Sequence, residues 1–184
     1  MNRSEALEVI GKHVKNKNLI KHMIATEAVM EALASKFGGE PERWALAGLL
    51  HDIDYDTTAD DPSKHSKVGY AMLKEMGIDE DIAYAVQVHN DYHDLPRNTK
   101  MDSALHIVDP LTGLIVASAL IHPAKRLDAI DAEFVYKRFH EKGFAKGAKR
   151  EQMQKCEVEL EMDLIELISI GLLAMQSRSA ELGM

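Results

Sequence analysis

Aromatic residues make up only 5% of this 184-residue chain. Sheets draw on aromatic and β-branched side chains, so a chain poor in aromatics but rich in Leu, Ile, Ala and Met points to packed helices. One cysteine, Cys156, excludes an internal disulfide and a cysteine-built zinc knuckle. Positive charge is also short: 22 Lys and Arg stand against 30 Asp and Glu, a net charge of -8. That balance argues against a uniformly basic face for duplex DNA. The opening MNRSEALEVIGKH lacks the apolar core of a signal peptide. The longest apolar stretch, Leu164 to Met175, is interrupted by Glu166 and is too short for a bilayer. These absences predict a cytoplasmic protein with neither a membrane nor duplex DNA as partner.

What is present is helical spacing almost everywhere. Ala6, Val9 and Ile10 share one face of a short opening helix. Leu19, Met23, Ala28, Val29 and Leu33 mark a longer one, closed by Gly38 and Gly39. Pro41 opens a third helix whose WALAGLL segment is apolar nearly all round, which predicts a central, buried element. A polar acidic loop, Asp52 to Pro62, follows. Val68, Met72 and Met76 then form a stripe that ends at Gly77, and Ile82, Ala85, Val86 and His89 form another, broken by the loop from Asn90. Asp102 is positioned to cap a helix running to Asp109-Pro110, after which an apolar stretch continues from Leu111 to Ile121. A helix near Ala132 to His140 and a long one from about Lys149 to Ala180 complete the chain. The stripe from Leu164 to Met175 reads as core packing dense enough to leave room for a homodimer surface. With no strand-like alternation, the expectation is one compact all-α domain.

Chemistry concentrates where histidines and aspartates end apolar helices. His22 is one turn past Leu19, and His51-Asp52 closes the most apolar helix. His65 shares a stripe with Val68 and Met72, His89 follows Ala85 and Val86, and Asp109 follows Leu105. Burying carboxylates and several imidazoles costs several kcal/mol unless they are paired or bind a metal. A divalent cation resolves that conflict, because imidazole suits first-row metals and a carboxylate can bridge two ions.

The order His22, His51-Asp52, Asp109 resembles the signature of the HD-domain metal-dependent phosphohydrolases, and GLLHDIDYD is its strongest piece. The resemblance implies an all-helical HD bundle with a metal-binding core at about 19–120 and a C-terminal helical extension at about 124–184. His65 and His89 resemble the extra ligands of the dinuclear subgroup. There Asp52 would bridge two ions, with His22, His51 and Asp109 on one and His65 and His89 on the other. The sequence departs from many members after the dipeptide: Asp54 and Tyr55 stand where Gly-Lys is common, so that phosphate-contacting lysine is missing. The GYP tripeptide of cyclic-dinucleotide hydrolases is absent as well.

The implied reaction is hydrolysis of a phosphate ester of a nucleotide-like small molecule by metal-bound hydroxide, with one or two divalent ions as cofactor. Fe, Mn, Zn, Co, Ni and Mg are not distinguishable from the sequence. Asp52 and Asp56 are the catalytic candidates, with Asp54 as an alternative to Asp56 for orienting water. Lys64, Arg97, Lys125 and Arg126 are the candidates for substrate phosphate, and the basic stretch Lys137 to Arg150 is either a solvated helix end or a wall over the site. His13, His106, His122 and His140 read as surface or boundary residues, and His93 as one of these or an outer-shell group. Two other functions share the scaffold: a di-iron oxygenase, and a metal- or nucleotide-binding module without turnover.

Overall fold

The computed structural model describes residues 1–184, and every regular element in it is helical. Helix α1 (Arg3–His13) begins with a capping box between Asn2 and Glu5. Helix α2 (Lys17–Phe37) is capped by the Asn16 side chain and closed by Gly38 in the left-handed conformation, at φ 67°. Helix α3 (Pro41–Leu50) starts at the expected proline and lies along α2. Gly48 permits that approach, because a Cβ there would stand 2.8 Å from the Thr26 carbonyl oxygen.

A short helix α4 (Tyr55–Thr58) leads to α5 (Lys67–Glu75) and α6 (Glu80–Val88), which pack on each other, and α6 packs on α3. Helix α7 (Lys100–Ile121) is capped by Thr99, whose side chain accepts from the Asp102 N–H, while the Asp102 carboxylate accepts from the Thr99 N–H. Asp102 therefore completes a capping box from inside the helix and is not the cap itself.

Helix α7 runs straight through Asp109-Pro110, where the sequence pattern suggested a stop. Proline removes one backbone hydrogen bond there, yet Val108 and Leu111 on either side of the dipeptide are buried and the helix continues. The resulting helix has a mean hydropathy of 1.8 over its apolar window, long and apolar enough to cross a membrane; 67% of that window is buried inside the bundle. Its burial gives the reading of a core helix.

After α8 (Ala132–Phe139), the expected long C-terminal helix is interrupted. Helices α9 (Arg150–Gln154) and α10 (Cys156–Glu159) precede a turn in which Glu161 takes φ 54°. Leu160 and Met162 are both buried by this turn, and the Met162 N–H closes it on the Cys156 carbonyl at 3.2 Å. Helix α11 (Leu164–Ser177) then packs on α2, α7 and α8, followed by α12 (Ser179–Leu182). One hydrophobic cluster of 46 buried residues extends from Ala6 to Leu182, so the C-terminal helices share the core of the histidine-bearing helices.

Candidate metal centre

Five elements converge on one end of α3. His22 comes from the first half of α2, His51 and Asp52 from the end of α3, and His65 from the turn before α5. His89 caps α6, and Asp109 sits midway along α7. Helices packed on one core fix these side chains, which is why residues far apart in sequence meet here.

Their atoms form two groups around Asp52. The His22 Nε2 lies 3.1 Å from the His51 Nε2 and 3.1 Å from the Asp109 Oδ1, and the Asp52 Oδ2 is 3.4 Å from the His51 Nε2. On the other side, the His65 and His89 Nε2 atoms lie 3.2 Å apart, at 3.5 and 3.7 Å from the Asp52 Oδ1. Each oxygen of Asp52 thus faces its own pair of imidazoles. Ligands about 2 Å from a common cation stand roughly 3–4 Å from one another, which is the spacing of both groups.

The outward ring nitrogens show why a cation fits. The His51 Nδ1 donates to the Gly48 carbonyl at 2.8 Å, and the His89 Nδ1 donates to the Val86 carbonyl at 2.5 Å. The Thr112 hydroxyl donates to the Asp109 carbonyl at 2.9 Å, so it accepts from the His22 Nδ1 at 3.0 Å. The His65 Nδ1 donates to the Asp54 carboxylate at 3.1 Å. In the neutral form that binds metal, these partners place the ring proton of all four imidazoles on Nδ1. Each Nε2 then turns a lone pair toward another only 3.1 or 3.2 Å away, a repulsive arrangement that a shared cation relieves.

Electrostatics agree. Burial opposes ionisation of Asp52, but the charge and hydrogen bonds of the histidines, His51 first, hold its carboxyl well below the usual range. Burial likewise works against Asp109, and with a proton rather than a cation between them the hydrogen bond from the His22 Nε2 brings the carboxyl down to about 2. Burial pushes His51 down, yet the adjacent Asp52 outweighs it and leaves the imidazole raised. Two ionised carboxylates among four imidazoles are suited to bind divalent metal.

The centre forms the floor of an open cleft of about 400 Å³. Tyr55, Asn90 and Asp91 line it from one side; Gly147, Lys149 and Gln152 line it from the C-terminal third. The Tyr55 ring packs edge-on against His65, with centroids 4.9 Å apart, and burial followed by the charge of Asp52 raises its hydroxyl pKa.

The structure brings His22, His51, Asp52, His65, His89 and Asp109 together and sends the other candidates elsewhere. Asp56 is exposed and accepts from the Lys15 and Asn16 N–H groups at 2.5 and 3.2 Å, so it caps the turn between α1 and α2. Asp54 is buried; besides His65 it accepts from the Ser66 and Gly69 N–H groups at 2.8 and 2.9 Å. It anchors the His65 turn and does not face the cleft. Lys64 points to solvent beside Asp61, and the Arg97 guanidinium is held by Glu159 and Asp91. Lys125 and Arg126 are exposed in the turn after α7, and Arg126 pairs with Asp128.

Sequence reasoning placed Thr112 in no role, although its position one turn after Asp109 is a usable signal. His106 is fully buried rather than a boundary residue, and its Nδ1 donates to the His89 carbonyl at 2.9 Å. Burial lowers its pKa, so it supports α6 as a neutral ring. His93 lies outside the cluster, with its Nε2 donating to the His65 carbonyl at 2.7 Å. It is an outer group of the centre. His13 and His140 are exposed, and neither they nor His122 line the cleft.

Comparison with known proteins bears on the same segment. Residues 19–133 match the family model of the HD domain. The chain is 26% identical over 98 residues to Ribonuclease Y of Oleidesulfovibrio alaskensis, covering 53% of this chain and 18% of that protein. It is 26% identical over 141 residues to Ribonuclease Y of Mycoplasma mycoides, covering 74% of this chain and 31% of that protein. The chain thus spans less than a third of the length of either relative. No solved structure matches it.

Proposed function

Since the chain belongs to the HD domain family, we propose that it is a metal-dependent phosphohydrolase acting on a phosphate ester of a nucleotide-like small molecule. The observation that carries this reading is the pair of imidazole–carboxylate groups sharing Asp52. His22, His51 and Asp109 would hold one divalent ion, His65 and His89 the other, with Asp52 between them. When bound, such ions supply activation of water near neutral pH and neutralisation of phosphoryl charge.

The protein's own contribution is positional. Asp54, Thr112 and the Gly48 and Val86 carbonyls hold each imidazole in one tautomer, with its Nε2 aimed at the centre. Lys149 offers donors at the cleft wall to phosphate oxygens that the centre leaves unmatched. Tyr55, at the mouth, offers an aromatic edge and a hydroxyl to the rest of a nucleotide. Lys149 stands in for the lysine that many family members carry after the His-Asp dipeptide.

The name Ribonuclease Y, borne by the relatives, extends the substrates worth testing to the phosphodiesters of RNA. The test is turnover of p-nitrophenyl phosphate, bis(p-nitrophenyl) phosphate and a short RNA by protein loaded in turn with Mn, Fe, Co, Zn, Ni and Mg. Metal-dependent release of product that Asp52→Asn abolishes is the expected result. No turnover with any metal would overturn the reading, and turnover that consumes oxygen would replace it with the oxygenase alternative.

A further inference from the structure

Seven Lys or Arg against two Glu crowd the segment from Lys137 to Lys155, in a chain whose net charge is -8. Three of these cations are already engaged. Arg138 pairs with Glu141 at 2.5 Å, and Lys155 lies 3.3 Å from the His106 Nε2 and 3.7 Å from Asp91. Arg150 turns inward, donating to the carbonyls of Phe139, Ala145, Ala148 and Phe144 at 2.7–3.0 Å and of Arg138 at 3.3 Å. Lys142, Lys146 and Lys149 have no acidic partner and are exposed.

These three lysines line a depression of about 640 Å³ between α8 and α9. It shares Asp91, Lys149 and Gln152 with the metal cleft, so the two form one continuous groove. The loop that carries them is built: Arg150 ties its carbonyls together, and Gly143 and Ala145 take φ 82° and 43° to make the turns. Unpaired cations on a fixed loop lose little entropy on meeting an anion. In an acidic molecule they also form the local field that a polyanion follows.

We propose that the α8–α9 loop is a second phosphate subsite, so that the enzyme selects substrates carrying further phosphates beyond the one held at the metal centre. Lys149 stands at the junction of the two halves, and Lys146 and Lys142 take the more distant phosphate. The inference rests on the phosphohydrolase reading and assigns specificity to the part of the chain beyond the family match, which ends at residue 133.

The test is titration calorimetry on the 184-residue chain loaded with manganese, using AMP, the dinucleotide pApA and diadenosine tetraphosphate as probes. At least one of the two longer probes should bind about ten-fold tighter than AMP, as expected for two added charge-assisted contacts. A preference for pApA would assign phosphates spaced along a nucleic-acid chain, and one for diadenosine tetraphosphate would assign adjoining phosphates. In K142Q/K146Q the ratio should collapse toward one while AMP affinity holds; K64Q, outside the groove, should keep the ratio. Equal affinity in the parent protein, or a ratio unchanged in the double variant, overturns the subsite and leaves the hydrolase reading standing. Absence of AMP binding to the loaded protein overturns that reading and the subsite with it.

Discussion

The unusual feature at the residue scale is the set of four imidazoles whose outward nitrogens are all engaged as donors, leaving four lone pairs turned on one carboxylate. Replacing that carboxylate removes the anionic oxygens that both groups of imidazoles share for holding a cation. Asp52→Asn is therefore expected to lose both metal equivalents and about a thousand-fold or more in turnover, by metal analysis and steady-state kinetics. Asp54 acts one step out, through the His65 Nδ1. Asp54→Asn should weaken one metal equivalent by about ten- to a hundred-fold while the other is retained. Activity should recover at high metal concentration; an unchanged metal titration would contradict the role. Cys156 is fully buried, and burial pushes its thiol up to about 11. At pH 8 it should stay protonated and resist a thiol reagent until the chain unfolds. Rapid labelling of native protein would show that the α9–α10 region opens.

Elements decide which of these residues meet. The α2–α3 contact depends on Gly48, where an added Cβ would stand 2.8–2.9 Å from the backbone of Thr26 and Glu27. Gly48→Ala should destabilise by about 2 kcal/mol or more, because backbone cannot move aside as a side chain can. Gly113→Ala, on the exposed side of α7 with nothing within 4 Å, should instead be neutral or stabilise by about 0.5–1 kcal/mol. Chemical denaturation of the two variants checks both. Helical periodicity in the sequence was enough to place α2, α3, α5 and α6, because their stops are written in Gly38, Gly77 and the polar loop at Asn90. It failed at α7, where Pro110 reads locally as an end but lies in a helix held by burial on both sides. It also failed at Glu161, whose left-handed turn serves the burial of Leu160 and Met162 and leaves no glycine as a sign.

Over the whole molecule, the centre is the point where α2, α3, α6 and α7 and the turn before α5 are joined. The residues that meet there were legible because each ends or interrupts an apolar pattern. The cation at the cleft wall was not, since Lys64, Arg97, Lys125 and Arg126 lie near the ligating residues in sequence but outside the cleft, whereas Lys149 reaches it through the packing of α9 on α7. Binding that occurs only in the folded state stabilises it: free metal at a hundred times its Kd contributes about 2.7 kcal/mol. For a chain of this size that corresponds to a rise in Tm of roughly 5–10 °C, measurable by calorimetry with and without manganese. A Tm indifferent to every divalent metal would contradict a centre that links these helices.

Metal content per chain, by plasma mass spectrometry on untagged protein purified without chelator, tests the central claim most directly. The arrangement around Asp52 predicts about two equivalents, falling to about one in H65A/H89A. Protein that stays metal-free after incubation with iron, manganese, cobalt and zinc would contradict a dinuclear centre and the chemistry built on it.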